Sequence, residues 1–185
     1  MNRFGYGHIL TLITLVLLVP GSVEAQTSGS SVTMKATVSE VVTLSTAPNS
    51  IQGDVDVVSS GNAVRLTFSG HSAGAAMVRV PLIVRSNTNF KISARFESET
   101  ARLTELSVTD VRATGGLVSP AAVNNLEINS VENFDLSPFV VVSGPRVSTG
   151  GTLNSANNAL QITVLIRVKP DSVRTWQAHL TFFNN

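Results

Sequence analysis

Apolar side chains recur at every second position through most of the chain after residue 32. The clearest runs lie near the C-terminus, at 160–168 and 176–182, where aliphatic or aromatic residues alternate with polar ones. A period of two is typical of antiparallel strands that bury one face. Val and Thr are frequent throughout, and helix-forming runs of Ala, Leu, Glu and Lys are lacking. The sequence therefore predicts an all-β chain.

The predicted strands are short and numerous. Clear alternation marks 64–68, 78–84 and 90–96, and weaker patterns mark 32–44, 55–58, 103–111, 126–130 and 139–143. The two C-terminal runs, which flank Lys169-Pro170-Asp171-Ser172, are predicted to form a hairpin. Many short strands in one domain favour an immunoglobulin-like antiparallel β-sandwich, with a closed β-barrel as the alternative. The segments 112–125 and 144–158 lack a strand pattern and are predicted to be long connections that are mobile or contact a partner, with a ligand-binding loop as the alternative.

The first residues have the layout of a secretory signal peptide. Arg3 precedes an apolar run at 9–19, and Val23-Glu24-Ala25 ends the segment at a typical cleavage spacing. The apolar run is too short for a membrane-spanning helix. We therefore predict a signal peptide at 1–25, a flexible segment at 26–31 and a single β-sandwich domain at 32–185. The product is expected to be secreted, periplasmic or at the cell surface, with no stable membrane span after signal removal.

Composition excludes several classes of function. The chain has no cysteine, which excludes disulfides, thiol catalysis and cysteine-bound zinc. The net charge is +1, and it stays so after signal removal because Arg3 and Glu24 leave together, so attraction to nucleic acid is not predicted. The acidic pairs Asp54/Asp56 and Glu97/Glu99 are interpreted as exposed strand faces rather than calcium ligands. No metal and no cofactor are predicted.

The pentapeptide Gly70-His71-Ser72-Ala73-Gly74 resembles the nucleophile elbow of carboxylesterases and lipases, which implies Ser72 as the nucleophile. The strand before it alternates through Arg65, whereas the elbow strand of that family is buried on both faces. Pro81 leaves no room for the helix that should follow, and His179, the only later histidine, lies in a strand pattern. None of the possible acids is distinguished from the others: Asp110, Asp135 and Asp171. We therefore predict no catalytic residue and interpret the pentapeptide as a hairpin or sheet-crossing turn whose glycines have positive φ; a secreted serine esterase is the alternative.

Four cations are predicted to share one surface. They occupy outward positions of a hairpin formed by 78–84 and 90–96, turning at 86–89, and strand pairing would align them: Arg79, Arg85, Lys91 and Arg95. Such a cationic stripe keeps a sheet soluble and discourages edge pairing. It would also attract an anionic polymer.

The segment "VPLIVRSNTNFKISARF" and the closing pair "LQITVLIRVKP…TWQAHLTFF" resemble secreted β-sandwich subunits of the spore coat protein U and chaperone-usher pilin type. The resemblance implies a non-enzymatic structural or adhesive surface subunit that assembles by strand donation with copies of itself or related subunits, assisted by a periplasmic chaperone. The donor strand would then carry Val32, Met34, Ala36 and Val38. The strand that pairs with a chaperone would carry Trp176, Ala178, Leu180 and Phe182. The alternative is that both strands pair within their own domain. A ligand-binding extracellular module is a further alternative.

Overall fold

Ten strands and one short helix make up the part of the chain that the structure describes. The structure is a computed structural model, and it describes residues 40–116, 118–129, 134, 138–148, 158–172 and 175–185. The strands are β1 (Val42–Thr46), β2 (Asp56–Ser60), β3 (Ala63–Gly70), β4 (Ala76–Ser86), β5 (Phe90–Glu97), β6 (Ala101–Thr114), β7 (Glu127–Ile128), β8 (Phe139–Gly144), β9 (Ala159–Pro170) and β10 (Trp176–Asn184). A 3-10 turn spans Pro48–Ser50, and the helix α1 spans Pro120–Asn124.

The strands form two antiparallel sheets that pack face to face. The four-stranded sheet has the order β1-β4-β9-β6, and the six-stranded sheet has the order β2-β3-β10-β5-β8-β7. Both described sheets are open, because the strand at each edge pairs with a neighbour on one side only. The β-sandwich prediction is confirmed, and the closed alternative is wrong.

The core lies between the inward rows of the two sheets. On β9 every second residue from Leu160 to Val168 is buried, and β4 and β10 show the same alternation. The residues with no exposed surface include Val80, Leu82, Ile162, Val164, Leu66 and Leu180. Burial of each such side chain contributes about 1.5–3 kcal/mol. The alternation in the sequence therefore predicted the buried positions correctly.

Successive strands mostly lie in opposite sheets, which overturns two predicted hairpins. β4 pairs with β1 and β9, whereas β5 pairs with β10 and β8. Likewise β9 and β10 belong to different sheets. Two strands that face each other across a core show the same inward alternation as two strands that lie side by side. The pattern therefore could not distinguish a crossing from a hairpin.

The paired sequence neighbours are β2 with β3 and β7 with β8. In the first hairpin Ser60 lies opposite Ala63, so Gly61 and Asn62 form a two-residue turn. Gly61 has φ +57° and Asn62 has no positive φ. This pattern fits a type II′ turn, whose first position favours glycine.

Pro81 lies within β4 at a position where its missing N–H is not needed. The N–H groups of Arg79 and Asn87 donate to the carbonyl oxygens of Gln52 and Val41, along the edge of β4 that faces β1. Because backbone groups of every second residue face the same edge of a strand, the nitrogen of Pro81 also faces β1. The ladder is interrupted there, because Thr46 is opposite Leu82 and Gln52 is opposite Arg79. Thr46 Oγ1 instead donates to the Pro81 carbonyl at 2.7 Å, so the proline sits at a gap in the ladder.

Two irregularities shape the long edge strand β6. Its register with β9 shifts at Thr104 and at Thr109, as expected for β-bulges. The Thr104 hydroxyl donates to the Arg167 carbonyl at 3.1 Å, and the Thr109 hydroxyl donates to the Thr163 carbonyl at 3.2 Å. The side chains therefore supply hydrogen bonds where the backbone ladder shifts.

One of the two predicted loops is shorter than expected, and the other lies between β8 and β9 as predicted. β6 continues to Thr114, and α1 lies within the segment 112–125, so this loop prediction is wrong over those residues. In 144–158, Val147 is buried and its N–H donates to the buried Ser86 Oγ at 3.0 Å. Residues 149–157 lie outside the described part of the chain.

Phe182 and Phe183 are adjacent on β10, but only Phe182 points into the core. Phe182 has no exposed surface, whereas Phe183 is half-buried on the outer face. We expect Phe182→Ala to lower the free energy of unfolding by about 3–5 kcal/mol, because it leaves a cavity. Phe183→Ala should cost less than half as much. Urea denaturation followed by circular dichroism measures both, and equal losses would contradict this assignment of faces.

Candidate functional site

The pentapeptide 70–74 lies where the chain crosses from β3 in the six-stranded sheet to β4 in the four-stranded sheet. The side chains of His71 and Ser72 are exposed. The carbonyl oxygen of Ser72 accepts a hydrogen bond from Nε1 of Trp176 at 3.2 Å. The segment is therefore a crossing between sheets, the second of the two turn types predicted.

Gly70 is required for packing rather than for backbone conformation. The predicted positive φ at Gly70 and Gly74 is wrong, because positive φ occurs among the described residues only at Gly53, Gly61 and Gly115. Gly70 lies directly opposite Trp176 of β10. A Cβ at position 70 would lie 2.6 Å from the Trp176 Nε1 atom. The indole thus lies against the backbone of Gly70, and a side chain there would displace it.

The histidine that a serine hydrolase would need does not lie beside the pentapeptide. His179 is three residues beyond Trp176, which puts it roughly 10 Å along β10 from the level of Gly70. Its Nδ1 lies 3.2 Å from the Thr67 Oγ1 on the outer face. Two of the possible acids are ion-paired with arginines, in the pairs Asp110–Arg112 and Asp171–Arg102. The third, Asp135, lies outside the described residues.

The predicted cationic stripe is wrong, because its two strands lie in different sheets. Arg79 and Arg85 point outward from β4 on the four-stranded sheet. Lys91 and Arg95 point outward from β5 on the six-stranded sheet. Since the outer faces of a sandwich point in opposite directions, the two pairs of cations are separated by the whole core.

A different group of cations shares the outer face of the four-stranded sheet. The register aligns outward residues of β4, β9 and β6, and we call the cations among them the basic face: Arg79, Arg85, Arg167, Lys169, Arg102 and Arg112. Among the described residues, the carboxylates paired with these cations are Glu105, 3.3 Å from Arg167, Asp110, 3.6 Å from Arg112, and Asp171, which pairs with Arg102. The cations outnumber the carboxylates, so this face carries net positive charge.

The outer face of the six-stranded sheet has shallow cavities around β10. One, of about 470 Å³, is lined by residues that include Glu97, Gln177 and His179. The other, of about 300 Å³, is lined by Arg95, Glu97, Thr181 and Phe183. The described residues contain no group of three or more histidines and carboxylates placed to hold a metal ion.

The structure places the predicted chaperone-contact residues in the middle of a sheet. Trp176, Ala178, Leu180 and Phe182 are buried on β10, which pairs with β3 on one side and β5 on the other. A chaperone strand would have to displace one of these partners to pair with β10. The predicted donor residues, Val32, Met34, Ala36 and Val38, lie outside the described part of the chain.

The four edge strands differ in how they are protected against further pairing. β6 has two bulges and carries charges at Arg102, Glu105, Asp110 and Arg112. β2 carries Asp56, and β7 is only two residues long. β1 has the sequence VTLST, with no charge, proline or register shift. Since charges, bulges and short length are what discourage edge pairing, β1 is the least protected edge.

Comparison of the chain with models of protein families, with curated proteins and with solved structures finds no match. No helix in the described part of the chain is long and apolar enough to cross a membrane.

Gly70 and Gly74 provide a matched test of the role of Trp176. We expect Gly70→Ala to lower the free energy of unfolding by about 1–3 kcal/mol, because the indole has no room to move in the core. Gly74→Ala should change it by less than about 0.5 kcal/mol, since the nearest atom to its Cβ would be at 3.6 Å. Urea titration followed by the fluorescence of Trp176, the single tryptophan, measures both effects. A loss of stability in Gly74→Ala as large as in Gly70→Ala would refute this explanation.

Proposed function

We propose that the protein is an exported, non-enzymatic structural subunit of a coat-like or pilus-like assembly, in which copies join by strand addition. The observation that carries this proposal is the edge of β1, which has no charge, proline or register shift and whose one partner among the described strands is β4, together with the alternating segment that precedes it in the chain. The described sandwich forms both sheets from residues after 41.

Among the described residues, the β1–β4 ladder ends at Val41, three residues after the last residue of the segment 32–38. The Asn87 N–H donates to the Val41 carbonyl at 3.2 Å, and the Val41 N–H donates to the Asn87 Oδ1 at 2.7 Å. β4 itself ends at Ser86, and the chain turns toward β5 after Asn87. A strand that continued β1 toward the N-terminus would therefore run past the end of β4. This favours pairing of the segment with another copy.

The edge of β1 offers the backbone groups that an added strand requires. Val41 directs its N–H and C=O toward Asn87, so by alternation Val42, Leu44 and Thr46 direct theirs away from β4. These three residues are also the buried ones of β1. The apolar residues of the segment 32–38 fall on even positions as well. If the segment paired antiparallel with β1 so that its even-numbered residues lay opposite the even-numbered residues of β1, the apolar side chains of both strands would point to the core side of the sheet.

The geometry of donation determines the size of the assembly. If each copy donates to the next, the interface is heterologous and produces an open chain of subunits. If two copies donate to each other, the interface is isologous and stops at a dimer. A structural subunit of a coat or a fibre requires the open chain.

The donor segment can be tested by placing lysines on its two faces. In the mature chain 26–185, we expect Met34→Lys with Val38→Lys to abolish association, because two charges would enter the core side of the added strand. Thr33→Lys with Thr37→Lys adds the same charge on the opposite face and should leave association intact. Size-exclusion chromatography with light scattering gives the mass of each variant. Monomeric protein in all samples, or a closed dimer of the unmodified chain, would refute the open-chain assembly.

The acceptor edge can be tested in the same way. Ser45 is an outward residue of β1, and we expect Ser45→Lys to shift the chain to monomer, since an edge lysine discourages pairing. Ser60→Lys places the same change on β2, an edge of the other sheet, and should not alter the mass. If Ser60→Lys rather than Ser45→Lys disperses the assembly, the acceptor is the edge of the six-stranded sheet and not β1.

A further inference from the structure

A polar cavity of about 300 Å³ opens on the outer face of the four-stranded sheet. Its lining combines two arginines, two glutamines and two hydroxyl residues around one proline: Arg79, Arg112, Gln52, Gln161, Ser50, Thr163 and Pro81. Thr163 and Pro81 are directly opposite each other on β9 and β4, and Gln161 is opposite Arg112 of β6. The cavity therefore spans three adjacent strands and is built on rigid backbone.

The charge in this cavity is only partly neutralised. Arg79 lines the cavity and has no ion-pair partner among the described residues. Arg112 faces Asp110 at 3.6 Å, but the side chains are 63% and 52% exposed. An ion pair that is so exposed is weak and is screened by salt. The cavity thus presents guanidinium groups that can hold an oxyanion.

The other groups that line the cavity can form hydrogen bonds with the polar groups that surround such an anion. The backbone of Gln52 exchanges two hydrogen bonds with Arg79, of 3.1 and 2.9 Å, which fixes the wall that carries both side chains. The amides of Gln52 and Gln161 and the hydroxyls of Ser50 and Thr163 both donate and accept hydrogen bonds. Sugar hydroxyls next to a carboxylate or sulfate group require partners of this kind.

The cavity lies within a longer run of positive charge, the basic face. Lys169, Arg102 and Arg167 lie on one side of the cavity, and Arg85 lies on the other. Successive residues on one face of a strand are about 7 Å apart along it. From the level of Lys169 to the level of Arg85, the basic face therefore extends roughly 34 Å along the strands. A linear polyanion of several units would contact more than one of these cations at once.

We propose that the basic face binds an acidic polysaccharide, with one of its carboxylate or sulfate groups held between Arg79 and Arg112 in the cavity. The described residues of this face include no aromatic side chain, whereas proteins that bind single-stranded nucleic acid stack bases on aromatic rings. The hydroxyl and amide lining favours a sugar. The proposal goes beyond the structural role and does not rest on strand addition.

Binding of fluorescent polygalacturonate and fluorescent heparin oligomers to the mature chain tests the proposal. We expect saturable binding that weakens as sodium chloride is raised, measured by fluorescence anisotropy, and none to neutral dextran. The double variant Arg79→Gln with Arg112→Gln should weaken binding about tenfold or more. The control Arg65→Gln with Arg95→Gln removes equal charge from exposed positions on the opposite face and should change binding by less than about twofold.

Three outcomes would overturn the proposal. They are binding of neither polysaccharide, an equal loss in both double variants, and tighter binding of single-stranded DNA than of either polysaccharide. The result is separable from that of strand addition, because the Arg79→Gln and Arg112→Gln changes should not alter the mass measured by light scattering. Similarly, a monomeric Met34→Lys, Val38→Lys variant should still bind the polysaccharide.

Discussion

The six-stranded sheet depends on the pairing of β10 along both of its edges. One edge of β10 follows β3 from Gly70 to Ala63, and the other follows β5. Without it, the β2–β3 hairpin and the β5–β8–β7 group would be separate pieces, each with a half-exposed apolar face. The inward residues of β10 have almost no exposed surface, so the same strand also supplies the centre of the core. Backbone pairing and apolar burial are thus satisfied together in one strand.

The close approach of Trp176 to Gly70 shows how local sequence follows from this arrangement. An indole at the end of β10 needs a partner for its N–H and space for its ring. The Ser72 carbonyl provides the partner, and the missing side chain at position 70 provides the space. Gly70 of the pentapeptide is therefore accounted for by packing at a sheet crossing.

The sequence was sufficient to predict the strands and their buried faces, because burial imposes a period of two wherever a strand covers a core. It was not sufficient to predict which strands are neighbours. The outward cations of β4 and β5 illustrate the difference, since the alternation is correct for both strands but the sheets are different. The basic face was also beyond reach, because alternation does not show that β6 lies beside β9, and because the first bulge in β6 shifts the alternation by one residue and so places Glu105 on the same face as Arg102. The functions of the segment 32–38 and of β10 as a chaperone contact stay predictions.

The order of the strands along the chain has a consequence for biogenesis. β10 comes after every strand that it joins, and its partner β3 precedes it by more than a hundred residues, as the Thr67–His179 contact shows. During synthesis or export from the N-terminal end, β2, β3, β5 and β8 emerge before the strand that unites them. Until β10 arrives, their inward apolar rows are open to solvent and to other chains. The nascent protein is therefore most vulnerable to aggregation just before β10 appears, and folding of the six-stranded sheet is governed by when that strand becomes accessible.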